Sequence, residues 1–272
     1  MNIKFLISLI PLLIAVISFS QPNVDFYSFK TEKGIGIYAN NPEYCPVSVK
    51  MNFNLKNLAP TTGKQDVFVI PARSNKFLMT ELLKVDSNGG YSYSYKFNMN
   101  YGDINQVDYD TAYEYDLPFE KGTSHKLFQG YFGKFSHQSE RALDFTMPEG
   151  TNVVAARDGI VVAVVQNNTR SCPYKTCLPY TNYVNIYHSD GTFDSYCHIK
   201  HNGSKVNVGD SVKQGDVIAI SGNTGFTSGP HLHFVCYLGG LKDRRSVETY
   251  FKTNDGTDVT TLEENEIYFK NY

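Results

Sequence analysis

The chain has 272 residues, a net charge of −2 at pH 7 and 41% hydrophobic residues. A near-neutral charge with no basic block excludes the electrostatic footprint of a nucleic-acid binder and gives no case for a membrane-surface role. Five cysteines and seven histidines leave disulfide and metal chemistry open, depending on where they fall.

Met1-Asn2-Ile3-Lys4 leads into an apolar run from Phe5 to Phe19, with small residues at Ser18 and Ser20. This predicts a secretory signal peptide over residues 1–20, cut after Ser20. The run is short of the roughly 20 apolar residues of a bilayer span, and Pro11 interrupts it. No cysteine follows the cut, so no lipoprotein anchor is expected. The mature chain is then periplasmic or secreted, with no stable membrane span after signal removal. About 250 residues remain, enough for two modest domains.

Residues 21–101 are rich in tyrosine and phenylalanine and alternate between turns. Val47 to Leu55 alternates cleanly, Val67 to Ile70 and Tyr91 to Phe97 read similarly, and Thr61-Thr62-Gly63 and Asn88-Gly89-Gly90 are turns. Short strands at this spacing predict an N-terminal β-sandwich-like domain. Residues 102–123 form a polar, tyrosine-bearing linker. The rest, 124–272, reads as a compact antiparallel β domain with a C-terminal extension, so the fold class is all-β. Val153 to Val165 reads as a hairpin around Asp158-Gly159, and Tyr183 to His198 as a second around Asp190-Gly191. Helical periodicity is almost absent.

Cys172 and Cys177 flank four residues, and a small disulfide-closed loop is preferred to a zinc knuckle, which would need a second Cys pair. Cys197 and Cys236 read as core residues that point away from His198 and His233, with a mutual disulfide open. Cys45 has no assigned partner.

Gly229-Pro230-His231-Leu232-His233-Phe234 is the most informative segment. On a strand, side chains at i and i+2 leave the same face, so His231 and His233 would project side by side. The rival reading is a chance pair on an exposed strand. The preceding glycine-rich run lacks the lysine and helix of a P-loop and reads as the loop that delivers this strand. His137, Asp144 and His198 stand in similarly suggestive surroundings. Two histidines, a carboxylate and an open position for water make a catalytic zinc set, and a remaining histidine pair can move protons. The helical HExxH pattern is absent. His125 and His201 read as surface residues, and His188 as a turn cap or a site residue with equal weight.

From roughly Gln129 to Tyr237 these residues resemble the LytM/lysostaphin-type zinc metallopeptidases, family M23. The framing segments Pro148-Glu149-Gly150-Thr151, Ala155-Ala156-Arg157-Asp158-Gly159, Gly209-Asp210 and Gly222-Asn223-Thr224-Gly225 carry the resemblance too. It implies that Asp144 and His233 hold Zn²⁺, and that His231 and His198 are catalytic. The family's early motif places a histidine four residues before the aspartate. Here that position is Glu140, and His137 is seven residues ahead. His137 on a short insertion is the preferred third ligand, Glu140 is the rival, and a metal-free site is the third reading.

The implied function is a secreted zinc endopeptidase acting on peptide cross-links of bacterial peptidoglycan. The alternative is a catalytically inactive LytM-like module that binds or activates other wall hydrolases. A lipoyl-type carrier is a distant third, because Lys205 and Lys213 lack the required setting.

Overall fold

The computed structural model describes residues 21–272, and the predicted signal peptide lies outside the described residues. Strands make up almost all the regular structure, with one short 3₁₀ turn at Lys175–Tyr180. The all-β expectation holds.

Up to Tyr101 the chain forms two antiparallel sheets. Asp25–Lys30, Gly34–Asn41, Ser74–Lys84 and Leu58–Pro60 make one; Val67–Ile70, Val47–Lys56 and Ser92–Tyr101 make the other. Along Val47–Lys56, Val49 and Met51 are buried while Lys50 and Asn52 face solvent. That period of two sets which face packs. Ile37 and Ala39 from the first sheet meet Val49 and Met51 from the second in one core.

The remaining chain is organised by a nine-stranded sheet. Its order is Ser211–Val212, Gly159–Val165, Tyr183–Tyr187, Thr192–Cys197, His231–Leu238, Ala142–Thr146, Ser124–Gln129 and Ile267–Phe269, with Arg245–Ser246 beside His231–Leu238. One face buries Leu143, Phe145, Tyr196, Leu232 and Phe234. A three-stranded sheet of Asn152–Val154, Val217–Ser221 and Ile199–Ser204 adds Val153, Ile218, Ala219 and Ile199 to the same core. Residues 102–123 also contribute, through Tyr115, Leu117 and Phe119.

One expected hairpin does not form. Asn152–Val154 pairs with Val217–Ser221, whereas Gly159–Val165 pairs with Tyr183–Tyr187 and Ser211–Val212. The Asp158 carboxylate is committed elsewhere. It accepts from the Gln214 backbone N–H at 2.7 Å and from Lys213 Nζ at 2.8 Å, so the Asp-Gly turn anchors a distant loop while the chain changes sheets. The hairpin of Tyr183–Tyr187 and Thr192–Cys197 forms as expected, with Tyr187 opposite Phe193.

A small cluster joins the two regions. Cys45 packs with Ala142, Val162, Phe193, Val235 and Tyr237, flanked by Tyr44 and Tyr101. Asn100 Nδ2 donates to the Gly240 carbonyl at 2.7 Å. A Cβ on Gly239 would lie 2.3 Å from the Tyr101 carbonyl oxygen, so this close approach requires glycine there.

Candidate metal centre and groove

Asp144 lies opposite His233, and Thr146 opposite His231, on adjacent antiparallel strands. Across the next strand pair, Cys197 lies opposite His233. Because side chains alternate, Asp144, His231 and His233 leave the face opposite to Leu143, Leu232 and Phe234. Burial of the hydrophobic row therefore fixes the direction of the polar one.

His137 comes from the loop between Ser124–Gln129 and Ala142–Thr146. The loop is closed at its base by Phe132 N–H donating to the Glu140 carbonyl at 3.0 Å. His137 Nδ1 lies 3.1 Å from the Gly130 carbonyl oxygen. A carbonyl only accepts, so Nδ1 carries the proton and Nε2 presents a lone pair. That Nε2 is 3.2 Å from Asp144 Oδ2 and 3.2 Å from His233 Nδ1. His233 Nδ1 is 2.9 Å from Asp144 Oδ1.

These spacings suit a cation. Zinc with tetrahedral ligands at about 2.0–2.1 Å separates its donors by about 3.3 Å. Facing acceptors such as His137 Nε2 and Asp144 Oδ2 need a cation or a proton between them. Among the described residues, His137, Asp144 and His233 are the group of His, Cys, Asp and Glu side chains that converges in this way. Burial opposes ionisation of Asp144, yet its contacts with His137 and His233 hold its carboxyl well below the usual range. Burial also disfavours the charged form of both imidazoles. Asp144 outweighs this at His137, whose pKa is raised, but not at His233, whose pKa is lowered.

Gln129, which sequence reasoning did not single out, supports this triad. Its Nε2 donates to Asp144 Oδ2 at 2.7 Å and to Ser136 Oγ at 2.8 Å. Its Oε1 accepts from the backbone N–H groups of Phe135 and Ser136 at 3.0 and 3.1 Å. One amide thus orients the carboxylate and shapes the loop carrying His137. Gly133 leaves it room, because a Cβ there would lie 2.4 Å from Gln129 Cγ. Alternation alone would have placed Gln129 with Leu127 toward the core, but a register shift puts Leu127 opposite Phe145 and Gln129 opposite Asp144.

His198 and His231 complete the cluster. His198 sits between Thr192–Cys197 and Ile199–Ser204, with φ +65. A left-handed conformation costs about 1–3 kcal/mol for a residue other than glycine. His198 Nδ1 donates to the Thr224 carbonyl at 2.7 Å, and His231 Nδ1 to the Gly229 carbonyl at 2.8 Å. In the neutral tautomer this selects, Nε2 of each ring is the nitrogen without a proton. Their centroids lie 4.5 Å apart, and that of His198 lies 5.9 Å from that of His233. Burial, then the charges of His231 and His233, hold the His198 pKa well below its ordinary value.

The five residues line a groove of about 650 Å³. Phe135 and Phe226 stack at its rim with centroids 6.1 Å apart. Lys175, Leu178 and Pro179 of the 3₁₀ turn line it, as do Glu140, Tyr183 and Arg244. A second cavity of about 710 Å³ along residues 253–271 has carboxylates but no histidine.

The structure corrects several expectations. Glu140 is outside the triad. Arg244 Nε and Nη2 donate to its two oxygens at 3.1 and 3.3 Å, and Arg244 outweighs burial to lower its pKa. Cys172 and Cys177 form the expected disulfide, but Cys45, Cys197 and Cys236 are free and buried, so the open Cys197–Cys236 pairing does not occur. Cys236 enters the core, whereas Cys197 lines the groove, because Cys197 pairs with His233 and the left-handed conformation of His198 breaks the alternation between residues 197 and 198. His125 is buried, not a surface residue, with Nδ1 donating to the Thr146 carbonyl at 2.9 Å. His188 is buried as well. Its backbone N–H closes the turn onto the Thr192 carbonyl, while its ring lies 3.2 Å from Asp194. His201 is exposed as expected.

Residues 138–244 match the family model for Peptidase family M23. This chain carries an M23 peptidase domain. The match contains Asp144, His198, His231 and His233 and begins one residue after His137. The M23 region is 35% identical over 112 residues to Peptidoglycan DD-endopeptidase ShyC of Vibrio cholerae, covering 41% of this chain and 23% of that protein. It is 40% identical over 99 residues to Peptidoglycan DD-endopeptidase ShyA of the same organism, covering 36% and 20%. The chain thus spans about a fifth of the length of the curated relatives it matches. The catalytic domain of lysostaphin from Staphylococcus simulans aligns over 46% of this chain and 87% of its own, at 26% identity and a TM-score of 0.34.

Proposed function

We propose that this protein is a zinc-dependent endopeptidase that hydrolyses peptide cross-links of bacterial peptidoglycan. The observation that carries the reading is the convergence of His137 Nε2, both Asp144 oxygens and His233 Nδ1 at 2.9–3.2 Å, beside two further histidines facing the same groove. The names of the ShyC and ShyA relatives support the substrate.

His137, Asp144 and His233 would hold the ion, a His₂Asp set typical of zinc sites that keep a position open. When bound, zinc supplies a Lewis acid that lowers the pKa of water and polarises a carbonyl. The chain's own residues do the rest. His198 and His231 each present a basic Nε2 to the groove, fixed by a backbone carbonyl on the other nitrogen. Either can take a proton from an attacking water and return it to the leaving amine. Once protonated, either can donate a hydrogen bond to the oxyanion. The partly buried setting lowers the local dielectric and strengthens these interactions. Against the inactive-module reading stands a complete set of donors and bases.

Residues 21–101 are read as a separate domain beside the peptidase domain, and residues 1–20 as a signal peptide. A disulfide fits an oxidising compartment, hence a periplasmic or secreted protein. No helix among the described residues is long and apolar enough to cross a membrane.

The test is a digest of peptidoglycan sacculi by residues 21–272, with and without a chelator, read by mass spectrometry. Chelator-sensitive loss of cross-linked dimers is expected, and zinc restores it. A zinc-loaded protein that leaves the sacculi intact overturns the reading.

A further inference from the structure

His198 stands where the chain passes from the nine-stranded sheet to the three-stranded one, in a left-handed conformation. Its ring is aimed by the Nδ1–H bond to the Thr224 carbonyl at 2.7 Å. Thr224 is itself held from two sides. Its hydroxyl donates to the Ile199 carbonyl at 3.0 Å and accepts the Asn182 backbone N–H at 3.1 Å. One buried threonine therefore grips the ring of residue 198 through its carbonyl and the backbone of residue 199 through its side chain.

Asn182 extends the grip. It is fully buried, and its Nδ2 donates to the carbonyls of Asn168 at 2.9 Å and Ile199 at 3.3 Å. Its Oδ1 accepts the Asn168 N–H at 3.0 Å. The residue after Thr224 is pinned as well. Gly225 N–H donates to the Arg170 carbonyl at 2.8 Å, and Ser171 and Cys172 pair in parallel with Gly225 and Phe226. A Cβ on Gly225, at φ +84, would lie 2.1 Å from Thr181 Oγ1. The Cys172–Cys177 disulfide closes the loop that makes these contacts.

We propose that Thr224 and Asn182 are positioning residues for His198, and that the disulfide-closed loop is their anchor. The proposal rests on the peptidase reading for its kinetic consequence, though not for its structural one. Thr224 holds His198 in the Nδ1–H tautomer and keeps Nε2 directed into the groove. Outer partners of metal-ligating histidines are typically worth about 10- to 100-fold in activity, and a loss of that order is expected for the partners of His198.

Two variants of the zinc-loaded chain test it, Thr224→Val, which removes the hydroxyl, and Thr224→Ser, which keeps it. Cross-linked muropeptide is the substrate, and ¹⁵N shifts report the His198 tautomer. Thr224→Val is expected to lower kcat about 10- to 100-fold, leave KM and zinc stoichiometry unchanged, and mix the two tautomers. Thr224→Ser restores kcat to within a few-fold and the single tautomer. Wild-type kcat in Thr224→Val overturns the proposal, as does a loss of kcat with the wild-type tautomer retained. Should Thr224→Val not fold, the wild-type spectrum still decides, because mixed His198 tautomers there overturn the proposal. A wild-type protein that shows the single tautomer but cleaves nothing defeats the peptidase reading and leaves the positioning role standing.

Discussion

The nine-stranded sheet carries a histidine–aspartate pairing on each face, and the two have different fates. On the groove face, Asp144 faces His137 at 3.2 Å and His233 at 2.9 Å, with His231 at 3.8 Å. On the core face, Asp194 meets His188 at 3.2 Å, both side chains fully buried, and Tyr196 OH donates to it at 3.2 Å. The residue types match, but one carboxylate gathers several imidazoles at an open groove, whereas the other is sealed among aromatic rings. Convergence of donors together with access separates a reactive site from a structural one, and neither is visible in a residue type alone.

The comparison breaks most sharply at the triad. His233→Ala is expected to remove stoichiometric zinc and reduce cleavage by more than about a thousandfold. Retained zinc by elemental analysis would contradict the assignment. Gln129→Ala spares all three donors but frees the Asp144 carboxylate, so zinc affinity should fall about 10- to 100-fold, measurable by competition with a chelator. On the core face, Asp194→Asn should leave zinc binding intact while costing about 1–3 kcal/mol of stability. A denaturant titration checks this, and loss of zinc in that variant would erase the distinction between the faces.

The smallest effect is a pH slope. The folded-state pKa of His198 is depressed by burial and by His231 and His233. Below about pH 6.5 the unfolded chain takes up a proton that the folded one refuses, so this residue makes stability fall as pH falls, by up to about 1.4 kcal/mol per pH unit. His198→Gln should flatten the stability curve between pH 6.5 and about 5; an unchanged slope would count against a neutral, buried ring.

Much of this was legible in the sequence because it rests on periodicity. His231 and His233 share a face through the alternation of a strand, and the Tyr183–Tyr187 hairpin follows from its Asp-Gly turn. The all-β class follows from short alternating segments. Contacts between distant loops were not legible. Asp158 marks a turn in sequence, but its carboxylate is claimed by Gln214, and the expected hairpin is lost. Cys197 was assigned to the wrong face because no local rule places residue 198 in a left-handed conformation. Gln129 was missed since its partners, Asp144 and Ser136, meet only through the loop between them. His125 looked superficial, yet the Thr146 carbonyl takes its ring proton at 2.9 Å.

The cluster around Cys45 has a geometric consequence. Phe193, Val235 and Tyr237, which it covers, lie on the same face of the sheet as Asp144 and His233. Tyr237 is four positions from His233 along one strand, about 13 Å at the usual rise per residue. The N-terminal sandwich therefore stands like a fence at a fixed number of paces from the triad. A polymer laid along the sheet in that direction meets the fence after a few residues, while the opposite direction runs out past His231 toward the glycine-rich loop. The protein has a near side and a far side to its groove, and the two need not accept the same length of chain.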